Sequence, residues 1–211
     1  MKSSTDYTIC FPFVGDSIGG SVISTIIVVE ELKNIEELSL RVILHQEGPL
    51  AEWLRIRGID YQVKSDLPYY SGSESKLLKL VKLYAIRRSI GKFVRNSGID
   101  IVHTNDARIH ITWSVGVYRA RCRHIWHQRT RWSKSLLGKL LLTRAETVVA
   151  ISRYVKSGLL QETGVDPIVI PNPVRIRLMS VNRVPAKQKL LLLTKEDAKH
   201  TWIIGYIGSY K

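Results

Sequence analysis

Residues 7–34 read YTICFPFVGDSIGGSVISTIIVVEELKN. Tyr7 to Phe13 form an apolar run of strand length. Gly15, Gly19 and Gly20 then punctuate a polar turn around Asp16 and Ser17. After it, apolar residues recur at Val22, Ile23, Ile26, Ile27 and Leu32, which is a helical period. Strand, glycine loop, helix is the opening unit of a parallel α/β sheet.

The same alternation continues along the chain. Strands are expected at residues 38–44, 59–63, 99–103, 147–151 and 168–170, and another around His124 to His127. Helices are expected at 49–57, 76–96, 108–118, 136–144 and 153–162. In the helix 76–96, Leu77, Leu80, Leu83 and Tyr84 are read as the apolar side, and Arg87, Arg88, Lys92 and Arg95 as a solvated face. Ser152 is placed to cap the helix that follows it, its hydroxyl taking a free amide of the first turn. The strands are almost continuously apolar, as strands buried on both faces are. The fold class is therefore α/β, a Rossmann-like doubly wound parallel sheet over residues 1–174. Residues 175–200 are charged and lack a clear period, and read as a connector. Residues 201–211, TWIIGYIGSYK, read as one further strand.

The 211 residues carry 32 Lys plus Arg against 18 Asp plus Glu, a formal net charge of +14. Such a surface attracts phosphates, nucleic acid or anionic lipid without choosing among them. Cys10 and Cys122 are far apart and form no metal-binding or redox spacing, which fits a reducing compartment. The N-terminus lacks the apolar core of a signal peptide, and no apolar run approaches membrane-spanning length. A cytoplasmic protein is expected, with the option of resting on the inner membrane surface.

In open parallel sheets ligands bind at the carboxyl ends of strands. That edge collects the loop with Gly19 and Gly20, then His103, Asn105 and Asp106, then His127 and Arg129, then Ser152, then Asn172. Glycines let backbone approach a ligand, and the next helix N-terminus favours phosphate. The loop is nevertheless neither the dinucleotide fingerprint nor a phosphate-binding loop, and a ligand-free turn has the same pattern. His124 and His127, three apart on one strand, face opposite sides and cannot share a metal. His127 reads as an acid–base or hydrogen-bonding group at a strand end, with a satisfied structural histidine as the alternative. His45, His110 and His200 read as structural, and no metal site is expected. Nucleic-acid binding would call for a recognition helix or a stacking platform, and the sequence shows neither.

Five ordered stretches resemble one family: GDSIGGS, GIDIVHTND, HIWHQRTRW, VVAISRYVKSGLLQETGVDPIVIPNPV and IGYIGSYK. Together they are similar to the N-terminal domain of retaining GT-B glycosyltransferases of the family 4 type. The resemblance implies transfer of a sugar from a nucleotide-sugar donor to a glycan or lipid-linked acceptor, without metal or other cofactor. It places Gly19 and Gly20 near the donor diphosphate and His127 against the transferred sugar. Asn105, Asp106 and Arg129 would line the acceptor side. It also implies that residues 201–211 begin a donor-binding domain that this chain lacks, so that the chain alone would not turn over donor. Ser209 stands where many relatives have arginine, and Pro173 where many have glycine. The basic surface then suits an anionic membrane face. The rival classes are a non-catalytic binding module, a truncated remnant and, more distantly, a basic nucleic-acid binder.

Overall fold

The computed structural model describes residues 7–71, 76–120, 122–132 and 135–174, with backbone only for 76–79. The expected connector and final strand at 175–211 lie outside the described residues. The elements run β1 (Tyr7–Phe13), α1 (Gly20–Leu32), β2 (Leu38–Leu44), α2 (Pro49–Ile56), β3 (Gln62–Val63), α3 (Lys76–Asn96) and β4 (Ile101–Thr104). They continue with α4 (Ala107–Ala120), β5 (Arg123–Gln128), α5 (Leu136–Leu142), β6 (Thr147–Ala150), α6 (Arg153–Thr163) and β7 (Ile168–Val169).

Local chemistry sets several of these boundaries. Pro49 opens α2 at its first turn, where a missing amide costs nothing. Ser152 caps α6 by accepting from the Val155 amide at 3.2 Å. Gly164 closes the same helix with φ 78°, a left-handed conformation suited to glycine.

The strands pair in parallel throughout, in the order β3-β2-β1-β4-β5-β6-β7. Strand order reverses between β1 and β4, and such a switch point leaves a crevice at the carboxyl ends. The β1–β4 register covers only Ile9–Ile101 and Cys10–Val102, whereas β1 pairs with β2 over its full length. Pro12, which has no amide to donate, lies in the part of β1 beyond that register.

Alternating side chains send two sets of residues to two faces. Ile9, Phe11, Phe13, Val42 and Leu44 pack under Ile26 and Val29 of α1 and Leu50 and Leu54 of α2. Cys10, Ile43 and Val102 pack on the other face against Ile86, Ile90 and Val94 of α3 and Ile109, Trp113 and Val117 of α4. Trp126, Val148 and Ala150 extend that face under α5 and α6. Each large side chain removed from water in this way contributes about 1.5–3 kcal/mol.

The α3–α4 contact rests on a missing side chain. A Cβ on Gly116 would stand 2.4 Å from Ile90 Cγ2, so only glycine lets the helices meet there. This contact rotates α3 away from the face expected from its sequence. Ile86, Ile90 and Val94 are buried, while Leu80 is 67% and Tyr84 63% exposed. Arg87, Arg88, Lys92 and Arg95 are exposed, as expected for a solvated face.

Candidate functional site

The crevice at the switch point begins with the loop after β1. Gly15 has φ +106°, and a Cβ there would lie 2.2 Å from the Gln46 carbonyl oxygen. Glycine is therefore a structural requirement at 15. Gly19 and Gly20 differ: neither has a left-handed φ, and a Cβ on either would meet nothing within 4 Å. Gly19 is the N-cap of α1 and brings no side chain to cap it, and the first turn has no acidic residue. Among the described residues, the amides and partial positive charge of this 13-residue helix thus meet no capping side chain, and a Cβ at its two glycines would find open space.

Asp16 is held beside that opening by Arg108, whose Nη1 and Nη2 donate to its two carboxylate oxygens at 2.6 and 3.0 Å. The Arg108 guanidinium keeps the Asp16 carboxyl below the ordinary carboxylate range. Asp106 accepts from the Arg108 amide at 2.9 Å, which fixes the start of α4. Between these groups lies a cavity of about 70 Å³, lined among others by Gly15, Asp16, Gly19, Ser21, Asp106 and Arg108. Sequence reading passed over Asp16 and Arg108. The trace they left was Asp106 two residues ahead of Arg108 at a helix start, an Asx-type cap that aims the arginine.

Arg129 lies just past the end of β5, at the same carboxyl edge of the sheet. It is 8% exposed, and every N–H of its guanidinium is engaged by protein. Nε donates to Asn105 Oδ1 at 3.2 Å, and Nη2 to the same oxygen at 2.9 Å. Nη1 donates to Ser24 Oγ at 2.7 Å and to Asn172 Oδ1. Nη2 also reaches Thr25 Oγ1 at 3.1 Å and His127 Nδ1 at 3.4 Å. All of these acceptors are uncharged. Burial lowers Arg129 to about 10, so it stays a cation at neutral pH. Expected at the acceptor wall, Arg129 is instead turned inward and ties α1, β5 and the loops after β4 and β7 together. Ser24 and Thr25 also went unremarked in the sequence. Two hydroxyls inside the apolar run ISTII were the sign of a buried polar partner.

His103 and His127 lie side by side on the face of α1. His103 Nε2 is 3.2 Å from His127 Nδ1, and the ring planes differ by 7°. Phe11 packs on His103 at 5.2 Å. Burial chiefly, then the charges of His127 and Arg129, push His103 down to about 3. Burial and then Arg129 bring His127 down to about 4. His127 Nε2 is buried and has no hydrogen-bond partner among the described residues. On the opposite face, Thr104 Oγ1 joins His110 Nδ1 at 2.7 Å and His124 Nε2 at 2.9 Å. The two histidines of β5 thus face opposite sides, as their spacing requires.

The structure therefore brings Gly19, Gly20, His103, Asn105, Asp106, His127, Arg129 and Asn172 to one edge. Ser152 spends its hydroxyl on capping α6. His45 is satisfied in the core: Nδ1 meets the Leu67 carbonyl at 3.0 Å, and Nε2 accepts from Trp113 at 2.9 Å. His200 lies outside the described residues. Among the described residues no group of three His, Cys, Asp or Glu could hold a metal, and no helix is long and apolar enough to cross a membrane.

A sequence-family model described as Glycosyltransferase Family 4 matches residues 28–178. No curated protein matches the sequence. Among solved structures, Anabaena Alr3699/HepE in complex with UDP-glucose superposes with a TM-score of 0.64 at 18% identity, covering 89% of this chain and 50% of that one. A glycosyltransferase from Rickettsia africae gives 0.63 at 18%, covering 90% and 50%. A UDP-N-acetylglucosamine 2-epimerase gives 0.57 at 15%, covering 79% and 48%. At these identities the likeness shows a shared fold, that of a GT-B N-terminal domain. The chain spans about half the length of these proteins.

Proposed function

We propose, from the premise that this chain belongs to glycosyltransferase family 4, that it takes part in moving a sugar from a nucleotide-sugar donor to a glycan or lipid-linked acceptor. The observation that carries the proposal is the N-terminus of α1. It is uncapped, its glycines are required neither by φ nor by packing, and it opens at the switch point. Such a terminus suits the diphosphate of a donor, and the free space around its two glycines leaves room for one.

In this reading, the bond from the anomeric carbon to the diphosphate breaks as an acceptor hydroxyl oxygen bonds to that carbon, and the hydroxyl proton leaves with the departing diphosphate. Negative charge that grows on the leaving diphosphate meets the α1 amides, with the buried Arg129 cation behind them. His127 touches the transferred sugar, and Asn105, Asp106 and Arg108 shape the wall on the acceptor side. A helix terminus and a guanidinium can supply the counter-charge without a metal. Retention of anomeric configuration and a hexose donor are the finer parts of the same proposal. HepE was crystallised with UDP-glucose, which makes UDP-glucose the first donor to try.

A second feature lies on α3. The N-terminal half of α3 exposes Leu80, Val81 and Tyr84, followed on the same helix by exposed Arg87, Arg88 and Lys92. Apolar side chains beside cations suit an anionic bilayer, on which a lipid-linked acceptor would be presented. The proposed location is the cytoplasmic membrane surface. Co-sedimentation with vesicles containing anionic lipid tests it, and binding indifferent to salt and to lipid charge would overturn it.

Calorimetric titration of the full chain with UDP-glucose, alone and as Gly20→Val, tests the core proposal. Binding that weakens at least tenfold in the variant is expected. Equal binding by both forms would remove α1 from the donor site.

A further inference from the structure

Whether His127 Nε2 carries a proton follows from what surrounds the other ring nitrogen. His127 Nδ1 faces Arg129 Nη2 at 3.4 Å and His103 Nε2 at 3.2 Å. A guanidinium has only N–H groups and cannot accept a hydrogen bond. A proton on Nδ1 would set N–H against the N–H of a cation. The Nδ1 lone pair therefore faces Arg129, and the proton of the neutral ring belongs on Nε2.

His103 completes the arrangement. The two ring planes are 7° apart with centroids at 5.4 Å. A face-to-face stack is closer, as His110 on Trp126 shows at 4.0 Å. The wider spacing is that of rings meeting edge to edge, with an N–H of one aimed at the nitrogen of the other. His103 Nε2 then donates to His127 Nδ1 and accepts nothing from it. Phe11 against the His103 ring fixes the plane in which this happens.

We propose that His103 and Arg129 act as positioning residues that lock His127 with its proton on Nε2, so that His127 meets its ligand as a hydrogen-bond donor and does not serve as a base. No carboxylate among the described residues hydrogen-bonds to His103, His127 or Arg129. The charged or titratable groups facing His127 are His103 from β4 and Arg129 at the end of β5. The neighbouring Ser24 and Thr25 of α1, Asn105 and Asn172 are uncharged. Nothing in this set offers a negative charge that would favour an imidazolium, and burial opposes one. The unpartnered Nε2–H is the donor left over for an incoming oxygen. That this oxygen belongs to a sugar or phosphate of the donor rests on the function proposed above. The tautomer itself does not.

The test uses the full chain labelled with ¹⁵N in its histidines and long-range ¹H–¹⁵N correlation. His127 is assigned from the signals lost in His127→Phe. At pH 7 the expected pattern is an unprotonated Nδ1 and a protonated Nε2, unchanged down to pH 5. A protonated Nδ1, an averaged pair of shifts, or titration near the ordinary histidine value would overturn the proposal. In His103→Phe the shifts are expected to move toward averaging, and His103→Gln, which keeps a side-chain N–H, restores them. If both variants keep the wild-type pattern, His103 has no part in the lock. UDP-glucose added to the same sample separates the two claims. Absence of binding sinks the donor reading and leaves the tautomer standing. Binding without any shift at His127 Nε2 shows that this atom is not the ligand contact.

Discussion

Two histidine pairs lie on the two faces of β4 and β5, all buried but the half-buried His103, and they end differently. On the α4 face, His110 and His124 both close on Thr104 Oγ1, and the His110 ring lies flat on Trp126. Each ring has a partner inside the fold, and the cluster packs like core. On the α1 face, His103 and His127 meet each other and Arg129, and His127 Nε2 is left unpartnered. A buried polar atom without a partner costs about 1–3 kcal/mol. In the function proposed above, an incoming oxygen completes it, and that is the difference between the two pairs.

The largest expected effect tests the shared premise that all these rings are neutral. His103 falls to about 3, and His124 and His127 to about 4, while His45 and His110 are also lowered. In the unfolded chain each returns to about 6.5. Folded values below unfolded ones mean that the stability is present above pH 6.5. It is lost as pH falls from 6.5 toward the folded values, because the unfolded chain takes up protons first. Urea denaturation from pH 8 to pH 4 should show a steep fall. A flat profile would mean that the rings are not buried neutral.

Next is Arg129→Met, which strands Ser24, Thr25, Asn105 and Asn172 together. A loss of ~3 kcal/mol or more is expected from denaturant titration. A smaller loss would show that the fork is not the tie that its hydrogen bonds imply. Thr104→Val removes the hub of the other face at constant shape. It should cost ~2 kcal/mol by leaving two buried rings unpaired, while UDP-glucose affinity in the folded variant is unchanged. Impaired binding would break the division into core and site.

His127→Phe and Gly20→Ala sharpen the contrast from the other side. Gly20→Ala adds a methyl to open space and should alter stability by less than ~1 kcal/mol. His127→Phe removes the unpartnered Nε2 but also the Nδ1 that His103 and Arg129 face, and should cost ~1–3 kcal/mol. Both should weaken donor binding. Large destabilisation by Gly20→Ala would turn the proposed site into structure.

Strand and helix identity was legible because the apolar periods are strong: β1 and β2 fall on the expected residues 7–13 and 38–44. The gathering at the carboxyl edge was legible from topology alone. The buried face of α3 was not. Leu80 and Tyr84 compete with Ile86, Ile90 and Val94 for the inside, and the decision is made by the gap at Gly116, on another helix. Nor was the inward turn of Arg129 legible. Its acceptors sit at 24, 25, 105 and 172, and no local pattern joins them. The two His pairs were half legible. Spacing within β5 splits His124 from His127, but pairing each with its partner needs the β4–β5 register.

The Arg129 fork also sets an order of assembly. Its acceptors lie 105 positions upstream at Ser24 and 43 positions downstream at Asn172. Helices form from neighbours in sequence, whereas contacts over such spans wait for long loops to close. On the ribosome, β1, α1 and β2 can take shape while Arg129 is still unmade. The guanidinium gains its last acceptor only when Asn172 emerges. The hydrogen-bond set of Arg129 is thus incomplete in any nascent chain that stops short of Asn172.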